Sequence, residues 1–394
     1  MTATKPGERI LVSVSGGENS VGLVHMLQQG IVADHKKLLF TPIVLWIDEG
    51  CVFGLDIDQR RQNADEVMRN LSSFGFSVNV VLLEDYNTSD SELIDVYQSS
   101  GDIKYNATKA GKMSITFKNI KDKSSKEEFL IQIMRGVMLA AAKSLDCCKV
   151  LTGETGTRLA VELMSSVASG VGGGLPHRVG FRDSREEGVV ILRPMRELSS
   201  KEVSLYCVYN NLVTWHGQEV QGVGDTIRNV TQEFLVGLQD NFPSTIPTVN
   251  RTGDKLTTVV ETEDQMMEDI ATCCLCGASL DTDADTRHNA LQATQYSSFI
   301  SAGGGNKDPD DNKINQYGVN KDSTACCGEG DGSCQTKKCH SVTLEELMSH
   351  LCYTCRRTFD KIESINDIPE KLLDRVKAQI RRSEMKSEIS DFLL

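Results

Sequence analysis

The stretch Ile10-Leu-Val-Ser-Val-Ser-Gly-Gly-Glu-Asn-Ser20, near the start of this 394-residue chain, decides the fold. Its apolar run Ile10 to Val14 predicts a buried strand, Gly16-Gly17 a turn, and the apolar spacing after Ser20 a helix. A glycine-rich turn between a strand and a helix is suited to phosphate, because backbone amides and the helix dipole face the anion. A tight turn that binds nothing fits the same residues, so this stretch leaves both interpretations open.

Composition and charge exclude several classes of protein. The chain has 55 acidic and 42 basic residues and a formal net charge of −13. Because binding to phosphates needs a basic surface, this balance argues against a protein that binds nucleic acid alone, although a local basic patch or a basic partner would supply the charge. No run reaches the roughly 18 apolar residues of a membrane span, and no secretion signal precedes Ile10. We therefore expect a soluble, intracellular protein with no membrane contact.

Strands and helices alternate over the first 240 residues. Further buried strands are predicted at 40–48, 76–83, 148–152 and 189–193, with helices between and after them. This order predicts an α/β fold with a parallel five-stranded sheet and helices on both faces. Ligands of such sheets bind beyond the carboxyl ends of the strands. The residues that fall there are the candidates for binding a nucleotide or phosphate: Ser15, Gly16, Gly17, Ser20, Asp48 and Gly153.

The cysteines point to a metal site near the C-terminus. Nine of the thirteen lie beyond residue 272, and four of these form two Cys-x-x-Cys pairs, Cys273/Cys276 and Cys352/Cys355. That spacing lets two thiolates turn onto one tetrahedral ion, so the pairs predict a structural zinc site, with free buried thiols as the alternative. The other cysteines of this region are rival ligands: Cys274, Cys326, Cys327, Cys334 and Cys339.

These patterns divide the chain into three regions. We predict an α/β domain over 1–240, a linker over 241–272, and a C-terminal zinc region over 273–394 that ends in a helix. A segment rich in Gly, Asp, Asn and Lys, at about 303–338, predicts a disordered insert between the cysteine pairs. Because closure entropy grows slowly with loop length, such an insert still allows the two pairs to meet.

Several motifs together resemble one family. Ser15-Gly-Gly-Glu-Asn-Ser20 resembles the pyrophosphate loop of the ATP-pyrophosphatase superfamily, whose fold is also described as PP-loop or adenine nucleotide alpha-hydrolase like. Trp46-Ile-Asp-Glu-Gly50, Pro243-Ser-Thr-Ile-Pro-Thr-Val-Asn-Arg-Thr-Gly253 and Leu351-Cys-Tyr-Thr-Cys-Arg356 are more specific. With the loop, they make the chain similar to the cytoplasmic tRNA 2-thiolation protein 2 family over most of its length.

The resemblance implies a role in transfer RNA modification. Members of the family are partners of a catalytic tRNA thiolase of the same fold, and the heterodimer adds sulfur to the wobble uridine of the tRNAs for Lys, Glu and Gln. The modified base is 5-methoxycarbonylmethyl-2-thiouridine. The resemblance further implies that the sulfur comes from a thiocarboxylated ubiquitin-like carrier, and that the chain contacts tRNA.

Three departures from a working thiolase favour a non-catalytic subunit. Glu18 and Asn19 stand where the loop of a thiolase has Lys and Asp, and Glu18 brings negative charge close to the phosphate position. By registration on Arg135 to Lys143, the thiolase's first cysteine pair falls on Glu127 and Leu130, and its third cysteine falls in 216–220, which has none. After the fourth strand, Thr152-Gly-Glu-Thr-Gly-Thr-Arg158 lacks the thiolase's aspartates.

Two other functions remain open on the sequence. One is an ATP-dependent, adenylating tRNA thiolase that uses nonstandard cysteines, with ATP bound at the loop. The other is a zinc-containing adaptor that contacts neither ATP nor RNA.

Overall fold

The computed structural model describes residues 5–32, 39–87, 93–172, 174–215, 217, 225–256, 271–280, 342–359, 362 and 364–390. The predicted disordered insert lies outside these residues. Met1–Asp281 and Thr343–Leu394 together form one compact unit.

The described residues contain one mixed sheet of six strands. The strands are β1 Arg9–Val14, β2 Thr41–Asp48, β3 Val78–Leu82, β4 Lys149–Thr152, β5 Arg182–Asp183 and β6 Val190–Leu192. Their order across the sheet is β3-β2-β1-β4-β6-β5, and every pair is parallel except β5 with β6. The α/β class and the five parallel strands are confirmed, but the predicted strand count is wrong by one. The two residues of β5 are too few for an alternating pattern to reveal a strand.

Helices connect and cover the strands. In chain order they are α1 Glu18–Val32, α2 Gly50–Phe53, α3 Ile57–Ser72, α4 Ala107–Asn119, α5 Lys123–Ser144, α6 Gly156–Ala168, α7 Leu175–Val179, α8 Ser200–Tyr209, α9 Ile227–Asn241, α10 Thr245–Gly253, α11 Leu344–Ser349, α12 Tyr353–Phe359 and α13 Glu370–Ser390. Side chains of α1, α3 and α8 pack with Val12, Val44 and Val80 on one face of the sheet. Alternate residues such as Leu11 and Leu45 are fully buried on the other face, where α5 approaches β2.

Hydrogen bonds between near neighbours in the chain fix the starts of two helices. At the start of α3, the side chain of Asp56 accepts a hydrogen bond from the backbone amide of Gln59. The side chain of Gln59 in turn accepts a hydrogen bond from the backbone amide of Asp56. Ser199 and Glu202 form the same reciprocal cap at the start of α8. Such capping boxes satisfy amides that the first turn of a helix leaves unpaired.

The predicted linker is partly helical. Its residues Thr245–Gly253 form α10, which packs on α6 through the buried side chain of Ile246. Two prolines made this stretch resemble a linker, but Pro247 lies in the first turn of the helix, where its missing amide costs nothing. The predicted division into domains stays a prediction. In the part of the chain that the structure describes, no helix has the length and apolar content that spanning a membrane requires.

Candidate functional site

The candidate phosphate loop lies at the point where the chain reverses its direction across the sheet. From β1 the chain crosses to β2 on one side, whereas β4 lies on the other side of β1. Ser13 of β1 pairs with Thr152 of β4, so the loop after β1 and Gly153 after β4 are neighbours. Doubly wound sheets bind ligands in the crevice at such a switch point.

Gly153 is in close contact with the start of α1. A Cβ atom at Gly153 would lie 2.9 Å from the Cα of Ser20 and 3.0 Å from the backbone oxygen of Asn19. Real Cβ atoms do not approach backbone so closely, which requires glycine at this position. Gly153 therefore lies against the loop at the carboxyl end of β4, where the sequence places it. Its observed contact is a packing contact with the backbone at the start of α1.

The loop satisfies several of its own polar groups. The hydroxyl of Ser20 donates to the backbone oxygen of Gly17 at 3.0 Å and lies 3.3 Å from the hydroxyl of the exposed Ser15. The backbone amide of Val21 donates to the same oxygen of Gly17 at 3.0 Å. The carboxylate of Glu18 accepts a hydrogen bond from the hydroxyl of Ser204 on α8. The acidic side chain expected near the phosphate position is thus held at the helix N-terminus, where the helix dipole favours negative charge.

Trp215 covers the loop. Its backbone amide donates to the backbone oxygen of Gly16 at 2.8 Å, and its ring stands edge-on to Trp46 with centroids 5.9 Å apart. Gly16 has φ of +90°, and a Cβ atom there would lie 3.1 Å from the ring of Trp215. Glycine at this position thus serves a left-handed turn and a close approach of the indole. No signal in the sequence pairs Trp215 with the loop, because the two are separated by almost 200 residues.

Asp48 is held by protein groups on both of its oxygens. One oxygen accepts from the backbone amide of Gly50 at 2.8 Å, and the other from Nε of Arg60 at 2.9 Å. Arg60 also donates to Glu84 at 2.8 Å, and all three charged side chains are buried. Burial raises the pKa of Asp48, and the positive charge of Arg60 opposes that shift. The observed role of Asp48 is therefore to bind the arginine of a buried ion network.

Glu49 faces a small cavity beside this network. The cavity has a volume of about 150 Å³. It is lined by both tryptophans of the chain and by Asp48, Glu49, Gly50, Phe53, Leu55 and Asn63. Burial, aided by the neighbouring charge of Asp48, raises the pKa of Glu49 to about 7. Near neutral pH this carboxyl exchanges a proton readily.

Three buried cysteines around the sheet are poor nucleophiles. Cys51 is buried next to the acidic network, and burial raises its pKa well above that of a free thiol. Cys207 donates to the backbone oxygen of Glu18 at 3.4 Å, and burial raises its pKa also. Burial raises the pKa of Cys147, at the start of β4, to about 11. Because the thiolate is the reactive form, none of these three is prepared for sulfur transfer at neutral pH.

Four cysteines come together in the C-terminal region. The Sγ atoms of Cys273, Cys276, Cys352 and Cys355 all lie within 4.8 Å of one another, and all four residues are buried. The first pair sits on a turn in which the amide of Cys273 donates to Ala278 at 2.7 Å and Gly277 has φ of +70°. The second pair flanks the start of α12. The cluster could bind a metal ion such as zinc, and its members are the four cysteines that the spacing predicts.

The geometry fits one tetrahedral ion. With Zn–S distances of about 2.3 Å, the sulfur atoms around a tetrahedral zinc ion lie about 3.8 Å apart. The Sγ atoms of Cys276 and Cys352 are 3.6 Å apart. Hydrogen bonds from the thiols of Cys273, Cys352 and Cys355 lower the pKa of Cys276. The guanidinium of Arg185 supports the same turn by donating to the backbone oxygen of Cys276 at 2.9 Å.

Cys274 is separate from this cluster. Its thiol donates to the side chain of Gln379 on α13 at 2.9 Å, and its backbone oxygen accepts from Arg375 at 3.3 Å. Cys274 therefore anchors the C-terminal helix, and the structure leaves it out of the group of possible ligands. The other rivals, Cys326, Cys327, Cys334 and Cys339, lie outside the described residues.

The positions that registration assigns to the thiolase cysteines lie on α5. Leu130 is buried, whereas Glu127 lines a cleft between the start of α5 and the end of α6. Next to them, Glu128 pairs with Arg178, which also binds Glu162 at 3.1 Å. Burial alone would raise the pKa of Glu162, but Arg228 and Arg178 lower it to about 2. An ion network therefore surrounds the position at which a thiolase would have cysteine.

Comparisons with known proteins agree on one family. The family model described as "Cytoplasmic tRNA 2-thiolation protein 2" matches residues 226–357. Cytoplasmic tRNA 2-thiolation protein 2 of Danio rerio is 31% identical, with the alignment covering 99% of this chain and 85% of that protein. The 2-B protein of Xenopus laevis is 30% identical, with coverage of 99% and 86%. The Homo sapiens protein is 27% identical, with coverage of 99% and 84%.

Among solved structures, the chain is similar to the U34-tRNA thiolase NcsA of Methanococcus maripaludis, solved with its [4Fe-4S] cluster. The TM-score is 0.46 and the sequence identity 15%, over 70% of this chain and 78% of the thiolase.

Proposed function

Since the chain belongs to the cytoplasmic tRNA 2-thiolation protein 2 family, we propose that it is a subunit of a cytosolic tRNA 2-thiolation complex. In this proposal a catalytic thiolase of the same fold forms a heterodimer with it. The pair introduces the 2-thio group of 5-methoxycarbonylmethyl-2-thiouridine at position 34 of the tRNAs for Lys, Glu and Gln. Sulfur arrives from a thiocarboxylated ubiquitin-like carrier, and the complex works in the cytoplasm.

The observation that carries a non-catalytic role is the cover over the phosphate loop. Trp215 packs on Gly16 and bonds to it, and the hydroxyl of Ser20 donates within the loop. An ATP pyrophosphate at this loop would have to fit beside the indole of Trp215 and would find the hydroxyl of Ser20 already donating to Gly17. Glu18 adds a charge of the wrong sign at the same helix N-terminus. This arrangement supports a loop that stabilises the fold and leaves adenylation to the partner.

Sulfur chemistry also falls to the partner in this proposal. Cys51 and Cys207, which lie at the same edge of the sheet as the loop, are buried thiols with raised pKa values. The cluster of Cys273, Cys276, Cys352 and Cys355 supplies the ligands of a closed, tetrahedral structural site. We assign zinc to it, because four thiols within 4.8 Å of one another leave space for a single ion. Zinc there would hold the C-terminal helices against the α/β domain.

The cavity beside the loop favours one second candidate. Its 150 Å³ volume, two tryptophans and a carboxyl with a pKa of about 7 would suit a small planar ligand such as a nucleobase. In that case the chain would itself be an ATP-dependent tRNA thiolase. This second candidate predicts release of pyrophosphate from ATP by the purified chain alone, whereas the non-catalytic proposal predicts none.

Deletion of the gene in its own organism tests the proposed function. Mass spectrometry of bulk tRNA would follow the wobble uridine in the deletion strain and in the strain carrying the wild-type gene. We expect 2-thiouridine to disappear while the 5-side-chain modification persists, and to return with the wild-type gene. Unchanged 2-thiouridine in the deletion strain would refute the function.

A further inference from the structure

One segment of this acidic chain is strongly basic. Residues 104–126 contain seven lysines and a single acidic residue, Asp122, in a protein whose net charge is −13. The segment comprises α4, the turn after it and the first residues of α5. Four of the lysines lie within nine residues at the junction of the two helices, and we call them the lysine ridge: Lys118, Lys121, Lys123 and Lys126.

The charges of the lysine ridge are not used within the described part of the chain. Lys109 and Lys112, earlier in α4, form ion pairs with Asp85 and Glu370 at 3.1 and 2.7 Å. The ridge lysines form no ion pair with any described residue, and all four side chains are exposed or partly exposed. Asp122 accepts from the amide of Ser125 at 2.8 Å and so serves as the cap of α5. The ridge therefore presents four lysines that have no carboxylate partner among those residues.

The cleft next to the ridge extends the same surface. Its lining includes Ser124 and Ser125 from the first turn of α5, and Thr354, Arg357 and Thr358 from α12. Arg357 is exposed and can donate to phosphate oxygens. The cleft also contains carboxylates: Glu128 and Glu162 are bound by Arg178 and Arg228, and Asp122 and Glu127 lie at the start of α5. The basic side chain that this cleft adds to the lysine ridge is Arg357.

The lysine ridge also lies near the edge of the sheet that carries the phosphate loop. Because α5 leads back into β4, which is parallel to β1, α5 begins near the carboxyl ends of the strands. Its first turn touches α9 there, where the amide of Ile227 donates to the hydroxyl of Ser124 at 3.3 Å. The lysines are thus placed beside the edge at which a doubly wound fold meets its ligands.

We propose that the lysine ridge, with Arg357, binds the sugar–phosphate backbone of tRNA. The proposal rests on the proposed function, which makes tRNA the polyanion that this surface meets. Four lysines and one arginine can position an RNA backbone but cannot read its sequence, since phosphate contacts carry no base information. The ridge therefore fixes how the tRNA lies on the complex, while recognition of the wobble uridine falls to other groups.

Binding of a fluorescently labelled tRNA transcript to the purified full-length chain tests this proposal. The ridge variant is Lys118→Gln/Lys121→Gln/Lys123→Gln/Lys126→Gln. Its matched control, Lys5→Gln/Arg69→Gln/Lys201→Gln/Lys255→Gln, removes the same charge from exposed positions elsewhere. We expect the ridge variant to bind at least ~10-fold more weakly at low salt, with the slope of log K against log [salt] shallower by about 3. The control should stay within about twofold of the wild type, and circular dichroism should show both variants folded.

Three results would overturn the proposal. They are an absence of tRNA binding by the wild type, equal binding by wild type and ridge variant, and equal losses in ridge variant and control. If the ridge variant keeps tRNA but no longer co-purifies with the thiolase subunit, the ridge binds an acidic protein surface instead. The two proposals fail separately, because normal 2-thiouridine in the deletion strain would refute the function whatever the ridge binds.

Discussion

The phosphate-loop edge and the cysteine cluster both resemble ligand sites in sequence. They differ in the partners that their polar atoms have in the folded protein. At the loop edge, Ser20, Glu18 and Asp48 all bond to other protein groups, and Trp215 lies over Gly16. In the cluster, four buried thiols face one another at distances that suit a metal ion. At the loop edge the candidate side chains are engaged by other protein groups, whereas the four thiols face one another around a point that a metal ion can occupy.

This difference distinguishes a loop that serves the fold from a cluster that serves ligand binding. A glycine loop can persist because its turn and its close contacts are needed to connect β1, α1 and β4, whether or not phosphate binds. Four thiols brought together in the interior are costly to bury as charged groups unless something neutralises them. The loop is therefore weak support for ATP binding, and the cluster is good support for a metal.

The largest effect that separates the two regions should come from the cluster. Cys276→Ser removes one thiolate of the four, and we expect loss of bound metal and a decrease in the free energy of unfolding of more than about 3 kcal/mol. Elemental analysis and thermal unfolding would measure both quantities. Cys274→Ser is the matched control, because Cys274 is an equally buried neighbour outside the cluster and should leave the metal content unchanged. Metal loss in both variants would contradict the assignment of ligands.

A smaller effect should distinguish the two glycines of the loop. Gly16→Ala puts a Cβ atom on a residue with φ of +90° and 3.1 Å from Trp215, and we expect it to lower the free energy of unfolding by about 2 kcal/mol. Gly17→Ala meets nothing closer than the hydroxyl of Ser15 at 3.7 Å but places alanine, a poor cap, before α1, so its effect should stay below about 1 kcal/mol. Denaturant unfolding measures both. Equal effects would show that Trp215 does not pack on Gly16 in solution.

Glu49 provides a pH test of the cavity. Since its pKa of about 7 in the folded chain is above the usual 4.5, the folded state holds a proton that the unfolded state has lost. The resulting destabilisation is absent below pH 4.5, grows between pH 4.5 and 7, and is complete above pH 7. Glu49→Gln should therefore raise the free energy of unfolding by about 1 to 3 kcal/mol at pH 8 and leave it nearly unchanged at pH 4.5.

The control for this pH test is Glu66→Gln, at an exposed position of α3. The change in the free energy of unfolding that this control causes should be the same at pH 4.5 and pH 8. A Glu49→Gln variant with the same stability difference at pH 4.5 and pH 8 would contradict the raised pKa.

The smallest expected effect is on ATP binding. The chain has two tryptophans, and both line the cavity beside the loop, so the intrinsic fluorescence reports on this site. Titration of the purified chain with ATP and magnesium should leave the emission unchanged, because the loop is covered. A saturable change that Gly17→Asp abolishes would favour the adenylating thiolase.

The sequence was sufficient for features that depend on neighbouring residues. Apolar runs predict five parallel strands, and Cys-x-x-Cys spacing predicts the members of the cluster, because each pattern lies within a few residues. The structure added contacts between distant segments. Arg60 joins Asp48 to Glu84, and Trp215 joins the loop to the chain after α8, and no periodicity encodes either contact.

Two segments have roles that depend on contacts the sequence pattern does not show. Thr245–Gly253 has the prolines of a linker, but an apolar face with Ile246 and Val249 packs it on α6 as a helix. The lysines of 104–126 are visible in the sequence, but the sequence does not show which of them have partners. Only the structure shows that Lys109 and Lys112 are in ion pairs, whereas the lysine ridge is not.

The central claim is that this chain supports tRNA thiolation without using its phosphate loop, and Gly17→Asp tests it most directly. Gly17 immediately precedes α1, where aspartate is a favoured cap, and the nearest atom to a Cβ there is 3.7 Å away, so the variant should fold. Its carboxylate would occupy the position that pyrophosphate needs. In the deletion strain, we predict that Gly17→Asp restores 2-thiouridine to the wild-type level. A folded Gly17→Asp protein, present in normal amount, that fails to restore 2-thiouridine would contradict the account.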